Sequence, residues 1–272
     1  MNSVSATTAP RFSAHQALKS AGITWFIVAT IGQWIFVYYI LAYYGGKTLS
    51  GAYGEINDRG LITGYVDGHV FGNVMFFTHV FLAAVMTVGG ALQLTPQIRN
   101  RVPVLHRWVG RLFVVTALVL AIGGYVMTWA MGVRLTDIGA MGVSLNAHLI
   151  VFFALLTIFY AMKGKIDTHR RWAMRLYMVC HGVWFFRLGL MGWYMLNQGP
   201  MGNTSNLDGP ADLALSFGSY LVPLAVLELY QRATDLSSAP FKWIMTAVVF
   251  LGALATGFGV FAAYAMLWAP HL

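Results

Sequence analysis

Charge is what this chain of 272 residues has least of: charged side chains make up 10% of it, only nine of them acidic, against 58% hydrophobic residues. A soluble domain carries roughly 25% charged residues, so an ordinary soluble globule is excluded. The mean hydropathy of +0.66 points instead to a polytopic membrane protein. Cysteine is nearly absent. Cys180 stands alone, forms no internal disulfide and sits in an apolar run, where it reads as a small core residue. Carboxylates are missing from the interior of the apolar runs, apart from Glu228 near the end of one. No internal repeat breaks the chain into units.

What is present is apolar sequence in long blocks. About seven spans are expected, at 22–44, 70–94, 107–131, 142–162, 172–196, 211–231 and 242–268, each with the ~20 residues that a helix needs to cross the hydrocarbon core. The fold class is therefore all-α, a membrane-embedded helical bundle, with an N-terminal tail over 1–21 and a single transmembrane domain over 22–272. The first span is too long and too aromatic for a cleaved signal peptide and is retained. The net charge of +8 comes from basic residues clustered in short loops: Arg99, Arg101, Arg107 and Arg111 in one, Lys163, Lys165, Arg170, Arg171 and Arg175 in another. That pattern sets topology rather than binding nucleic acid. These loops are cytoplasmic by the positive-inside rule, and the connections around Asp58 and Asp67, Asp137, and Asp208 and Asp212 are external. An odd number of spans then puts the N-terminus inside and the C-terminus outside, in a bacterial inner (cytoplasmic) membrane.

Against this background the histidines are conspicuous. His79, His148 and His181 lie inside spans, and His106 and His169 stand at span mouths. An ionisable group at membrane depth is costly enough to mark a functional site by default. At ~1.5 Å of rise per residue, His79 falls roughly 12 Å and His148 roughly 8 Å below the outer edge. His106 and His169 share the cytoplasmic level, and His181 is nearer mid-membrane, about 15 Å in.

Two pairs at two depths suit bis-histidine heme ligation, in which imidazoles from different helices meet one iron. Gly89, Gly90, Gly110, Gly123 and Gly124 are candidates to open a slot for the porphyrin, or simply for close helix packing. Arg187, deep in the outer half of its span, needs a partner, and a heme propionate is one. A three-histidine zinc site is a competing reading, weakened by the scarcity of carboxylates. A proton path through His79, His148, His181 and Glu228 is another. The bland alternatives are a local hydrogen bond from Thr78 or Asn146 for the intramembrane imidazoles, and anionic lipid headgroups for Arg107, Arg111, Arg170 and Arg171 at the mouths.

The segments QLTPQIRNRVPVLHRWVGRLFVV, GKIDTHRRWAMRLY and LAVLELYQR, within residues 70–232, resemble the bacterial membrane-protein family catalogued as domain of unknown function family 2306. The order His79, His106, His148, His169 on four successive helices is also similar to the core of diheme transmembrane cytochromes b. That resemblance implies that His79 pairs with His148 and His106 with His169; by its position alone, His181 could replace His169 as the inner ligand or simply bond a neighbouring helix. The expectation is a protein that binds heme b, one or two, and passes electrons, with quinone or a redox partner protein. The alternative is a non-enzymatic accessory or assembly subunit of a larger membrane complex, in contact with membrane lipid.

Overall fold

The computed structural model describes residues 13–57, 64–134 and 136–272; Arg11, Asp58 and most of the expected tail lie outside them. Every regular element among the described residues is helical. In chain order these are α1 (Ala14–Tyr39), α2 (Gly46–Ser50), α3 (Val70–Leu94), α4 (Pro96–Arg101), α5 (Pro103–Trp129), α6 (Asp137–Met162), α7 (Ile166–Cys180), α8 (Gly182–Asn197), α9 (Pro210–Asp235) and α10 (Ala239–Ala263), with π-helical turns extending α1 over Ile40–Gly45 and α10 over Tyr264–Trp268. Helix α1 begins inside the stretch read as tail. Ser13 and Gln16 form a reciprocal cap there, and Leu18 and Ala21 are already buried.

Six helical stretches are long and apolar enough to cross a bilayer, where hydropathy leads one to expect about seven. The missing one is the fifth, which is split into α7 and α8 at His181. The cause is local. The His181 Nδ1–H donates to the Tyr177 carbonyl at 2.7 Å, taking the acceptor that the His181 backbone N–H would use in a continuous helix. That N–H turns instead to the Met178 carbonyl at 3.3 Å, and Phe185 N–H restarts the ladder on the His181 carbonyl.

Helices α3, α5, α6 and α7 surround one apolar cluster that includes Met86, Phe113, Ala117, Ile150, Phe153 and Leu176. In this ring α3 packs on α5, α5 on α6 and α6 on α7, which leaves α3 diagonal to α6 and α5 diagonal to α7. Gly90 closes the ring between α3 and α7: a β-carbon there would stand 3.0 Å from the Tyr177 ring and 3.1 Å from His181 Cε1. A second layer is made by α1 lying along α10, with α8 between α9 and α10. Its core joins Phe36, Trp184, Leu188, Val260 and Trp268. Large apolar side chains also line the outside of the bundle, Ile23, Ile27, Ile31 and Trp34 on one face of α1 among them. Such a surface is stable only against lipid.

The two ends of the bundle differ. One, the basic end, carries Arg99, Arg101, Lys163, Lys165 and Arg170, and the start of α1 packs there with Ala233 and Met245 at the end of α9 and the start of α10. The opposite end is tied by Asp212, fully buried, which accepts from Asn203 Nδ2 at 2.5 Å and from the backbone N–H groups of Thr204 and Gly209 at 2.9 and 3.1 Å. These bonds fold the 198–209 loop onto the first turn of α9, where a carboxylate also meets the favourable end of the helix dipole.

Candidate functional site

At the basic end, His106 sits in the first turn of α5 and His169 in the first turn of α7, one turn inside the helix rather than ahead of it. The two imidazoles stand within electrostatic range of each other, and Arg99 and Arg107 also act on His106. The His169 Nδ1 bonds the Thr157 carbonyl of α6 at 2.9 Å. A carbonyl only accepts, so Nδ1 carries the proton and Nε2 keeps its lone pair. On His106, Nδ1 is buried with no hydrogen-bond partner. Gln93 of α3 fixes the start of α5 by donating to the His106 carbonyl at 2.9 Å.

At the opposite end His79 projects from α3 toward α5, its Cε1 3.7 Å from where a β-carbon on Gly124 would stand. His148 of α6 meets the next residue of α5, its ring edge-on to Tyr125 at 5.9 Å between centroids. The two imidazoles thus reach successive residues of α5 from diagonal helices, His79 half-buried and His148 exposed. His148 Nδ1 bonds the Ser144 carbonyl at 2.7 Å, again leaving Nε2 as the free nitrogen. Ser144, not Asn146, satisfies this imidazole, and the Asn146 Oδ1 is itself buried without a partner. A cleft of about 40 Å³ opens beside His79, lined by Met75, Thr78 and Leu82 from α3 and Val119, Leu120 and Gly123 from α5. His148 does not line it.

Arg187 extends from α8 toward this same end. Its guanidinium lies 5.5 Å from the Phe36 ring centroid, donates to the Val183 carbonyl at 3.3 Å and acts electrostatically on His79. No carboxylate pairs with it among the described residues. His181 lies between the two levels, fully buried, with Nδ1 on Tyr177 and Nε2 unpartnered. The Tyr177 ring lies tilted against it at 4.3 Å between centroids and carries the link onward through its hydroxyl, which accepts from Gln33 Nε2 of α1 at 2.7 Å.

The glycine slot is only partly present. Gly89 faces Phe113, Gly90 faces Tyr177, His181 and Phe113, and Gly110 faces Gln93, so close helix packing accounts for these three. Gly123 and Gly124 border the His79 cleft. No group of three or more His, Cys, Asp or Glu side chains converges on a metal-sized site among the described residues, which leaves the zinc reading without a ligand set. Glu228 is spoken for as well. It accepts from Arg175 through both carboxylate oxygens, at 2.5 and 2.7 Å, while Arg175 stacks over Trp172. This ion pair between α7 and α9 escaped the sequence reading, although the rule that membrane-embedded charges pair with one another pointed to it.

The donor types are those a b-type heme takes, imidazoles with a free nitrogen on diagonal helices and, among the described residues, the carboxylate-free Arg99 and Arg187, but the outer pair joins a half-buried His79 to an exposed His148. The volume at His79 is about a tenth of the ~300 Å³ at which small-molecule pockets begin. Seating a porphyrin there requires the cleft between α3 and α5 to widen. Neither a curated protein nor a solved structure matches this chain. A family model described as Predicted membrane protein (DUF2306) matches residues 76–230, a stretch that holds every histidine discussed above together with Arg187 and Glu228, and the protein belongs to that family.

Proposed function

We propose that this protein binds heme b and passes electrons across or within a bacterial inner membrane, exchanging them with quinone or a redox partner protein. One observation supports the reading: at the basic end of one four-helix ring His106 and His169 stand on diagonal helices within electrostatic range of each other, with Arg99 acting on His106, and at the opposite end Arg187 acts on His79, neither arginine being paired with a carboxylate among the described residues. His106 and His169 hold the inner site, with Arg99 and Arg107 for its propionates, and His79 and His148 the outer one, with Arg187. The heme, when bound, supplies reversible one-electron chemistry. The chain's own contribution is positional. The Thr157 and Ser144 carbonyls lock His169 and His148 in the tautomer whose Nε2 is free, and the apolar cluster between the levels keeps water from the interior.

The outer site is tested by His79→Ala and His148→Ala. Each removes one low-spin signal from the reduced-minus-oxidised spectrum while the protein still inserts. Full heme content in both variants means that no outer site exists.

The orientation that accompanies this reading puts the basic end in the cytoplasm, the N-terminus inside and the C-terminus outside. Reporter fusions after Asn100 and Asp167 then read cytoplasmic, and fusions after Asp137 and Ser205 read external. An external reading after Asp167 reverses the two levels.

A further inference from the structure

The basic rim contains two arginines that the heme reading does not use, Arg101 and Arg111. Leu105, Trp108, Arg111, Leu112 and Val115 recur at helical spacing along the outside of α5, Arg101 ends α4 two residues before it, and all six are exposed. Trp108 is 64% exposed, which is a great deal for the largest apolar side chain. Arg111 lies eight residues beyond Pro103, so its Cα is roughly 12 Å down the helix from the mouth. Its guanidinium does not point into the bundle. It folds over the Trp108 ring, 4.9 Å from the centroid, and Trp108 is the residue one turn nearer the mouth. This is the geometry of a cation snorkelling toward headgroup level along an aromatic that itself prefers the interface. Neither Arg101 nor Arg111 has a carboxylate partner among the described residues. Below them the exposed stripe continues as Ile122, apolar surface at acyl-chain depth.

We propose that this face is a binding site for an anionic phospholipid, whose phosphate sits between Arg101 and Arg111 against Trp108 and whose acyl chains lie along Leu112, Val115 and Ile122. The continuation of the stripe into the hydrocarbon layer is what selects a lipid over a free phosphate, which has nothing to place there. A soluble protein partner is disfavoured by the same depth. The proposal stands apart from heme binding and uses none of its residues.

Native mass spectrometry of the full-length purified protein tests it, with phosphatidylglycerol, phosphatidylcholine and inorganic phosphate as probes. Phosphatidylglycerol is expected to be retained in preference to phosphatidylcholine, and inorganic phosphate is expected not to displace it. Each arginine near a headgroup surface is worth about fivefold, so Arg111→Gln weakens retention about fivefold and Arg101→Gln/Arg111→Gln by roughly 25-fold. Arg111→Lys, which keeps the charge, restores most of the single loss and serves if the glutamine variants fold poorly. Equal retention of the two lipids, unchanged retention in the double variant, or displacement by inorganic phosphate at matched concentration overturns the proposal. Heme content is measured on the same samples. A lipid result without heme, or heme without lipid preference, separates this site from the electron-transfer reading.

Discussion

A variant carrying His106→Ala and His169→Ala retains about half of the heme of the parent protein, and what remains is the outer site with its low-spin spectrum intact. The loss is expected because these are the two imidazoles that the fold brings into electrostatic range of each other, with Arg99 and Arg107 alongside and the His169 tautomer set by Thr157. Electron passage between the two faces of the membrane stops, since no other group at the basic end replaces the site. His181→Ala is run beside it. His181 Nε2 is buried and unpartnered, one turn beyond Tyr177, and is the only other imidazole of α7–α8. If His181→Ala removes the inner signal while His169→Ala leaves it, the inner ligand lies at the helix break, and the two cofactors are closer together. If the double variant keeps all its heme but loses lipid or partner association, the basic end is a docking surface and not a ligand pair.

The largest expected effect on stability is at the ion pair between α7 and α9. Glu228→Ala leaves Arg175, only 16% exposed at its side chain, without the carboxylate that accepts two of its N–H groups. Breaking a buried pair by removing one partner costs about 3–5 kcal/mol, and about 3 kcal/mol is expected here because the Glu228 side chain keeps 36% of its exposure. Arg175→Leu/Glu228→Leu is expected to cost less than Glu228→Ala, because it removes both charges instead of orphaning one. Thermal unfolding followed by circular dichroism in detergent measures both. A double variant less stable than Glu228→Ala assigns the effect to lost packing of Arg175 over Trp172.

Most of the bundle was legible because lipid enforces a simple rule: every backbone polar group is satisfied within its own helix, so apolar length translates into a helix. The span expected over 70–94 is α3, residue for residue. The fifth span shows where that rule stops. Hydropathy is continuous across residues 172–196, and the break at His181 comes from one side-chain nitrogen competing for one carbonyl, which no window average detects. The histidines were legible as residues. Their surroundings were not: helical spacing says that Gly90 is small, but only the fold says that Tyr177, His181 and Phe113 fill the space it leaves. Arg175 was counted among the topology signals of a basic loop, and its pairing with Glu228 required α9 to be placed against α7.

The central claim is tested most directly by the visible spectrum and heme stoichiometry of the full-length protein purified in mild detergent from heme-replete cells. The account predicts a dithionite-reducible, low-spin b-type spectrum, with heme extracted as the pyridine complex at one or two per chain. Protein that is folded, inserted and heme-free under those conditions contradicts it.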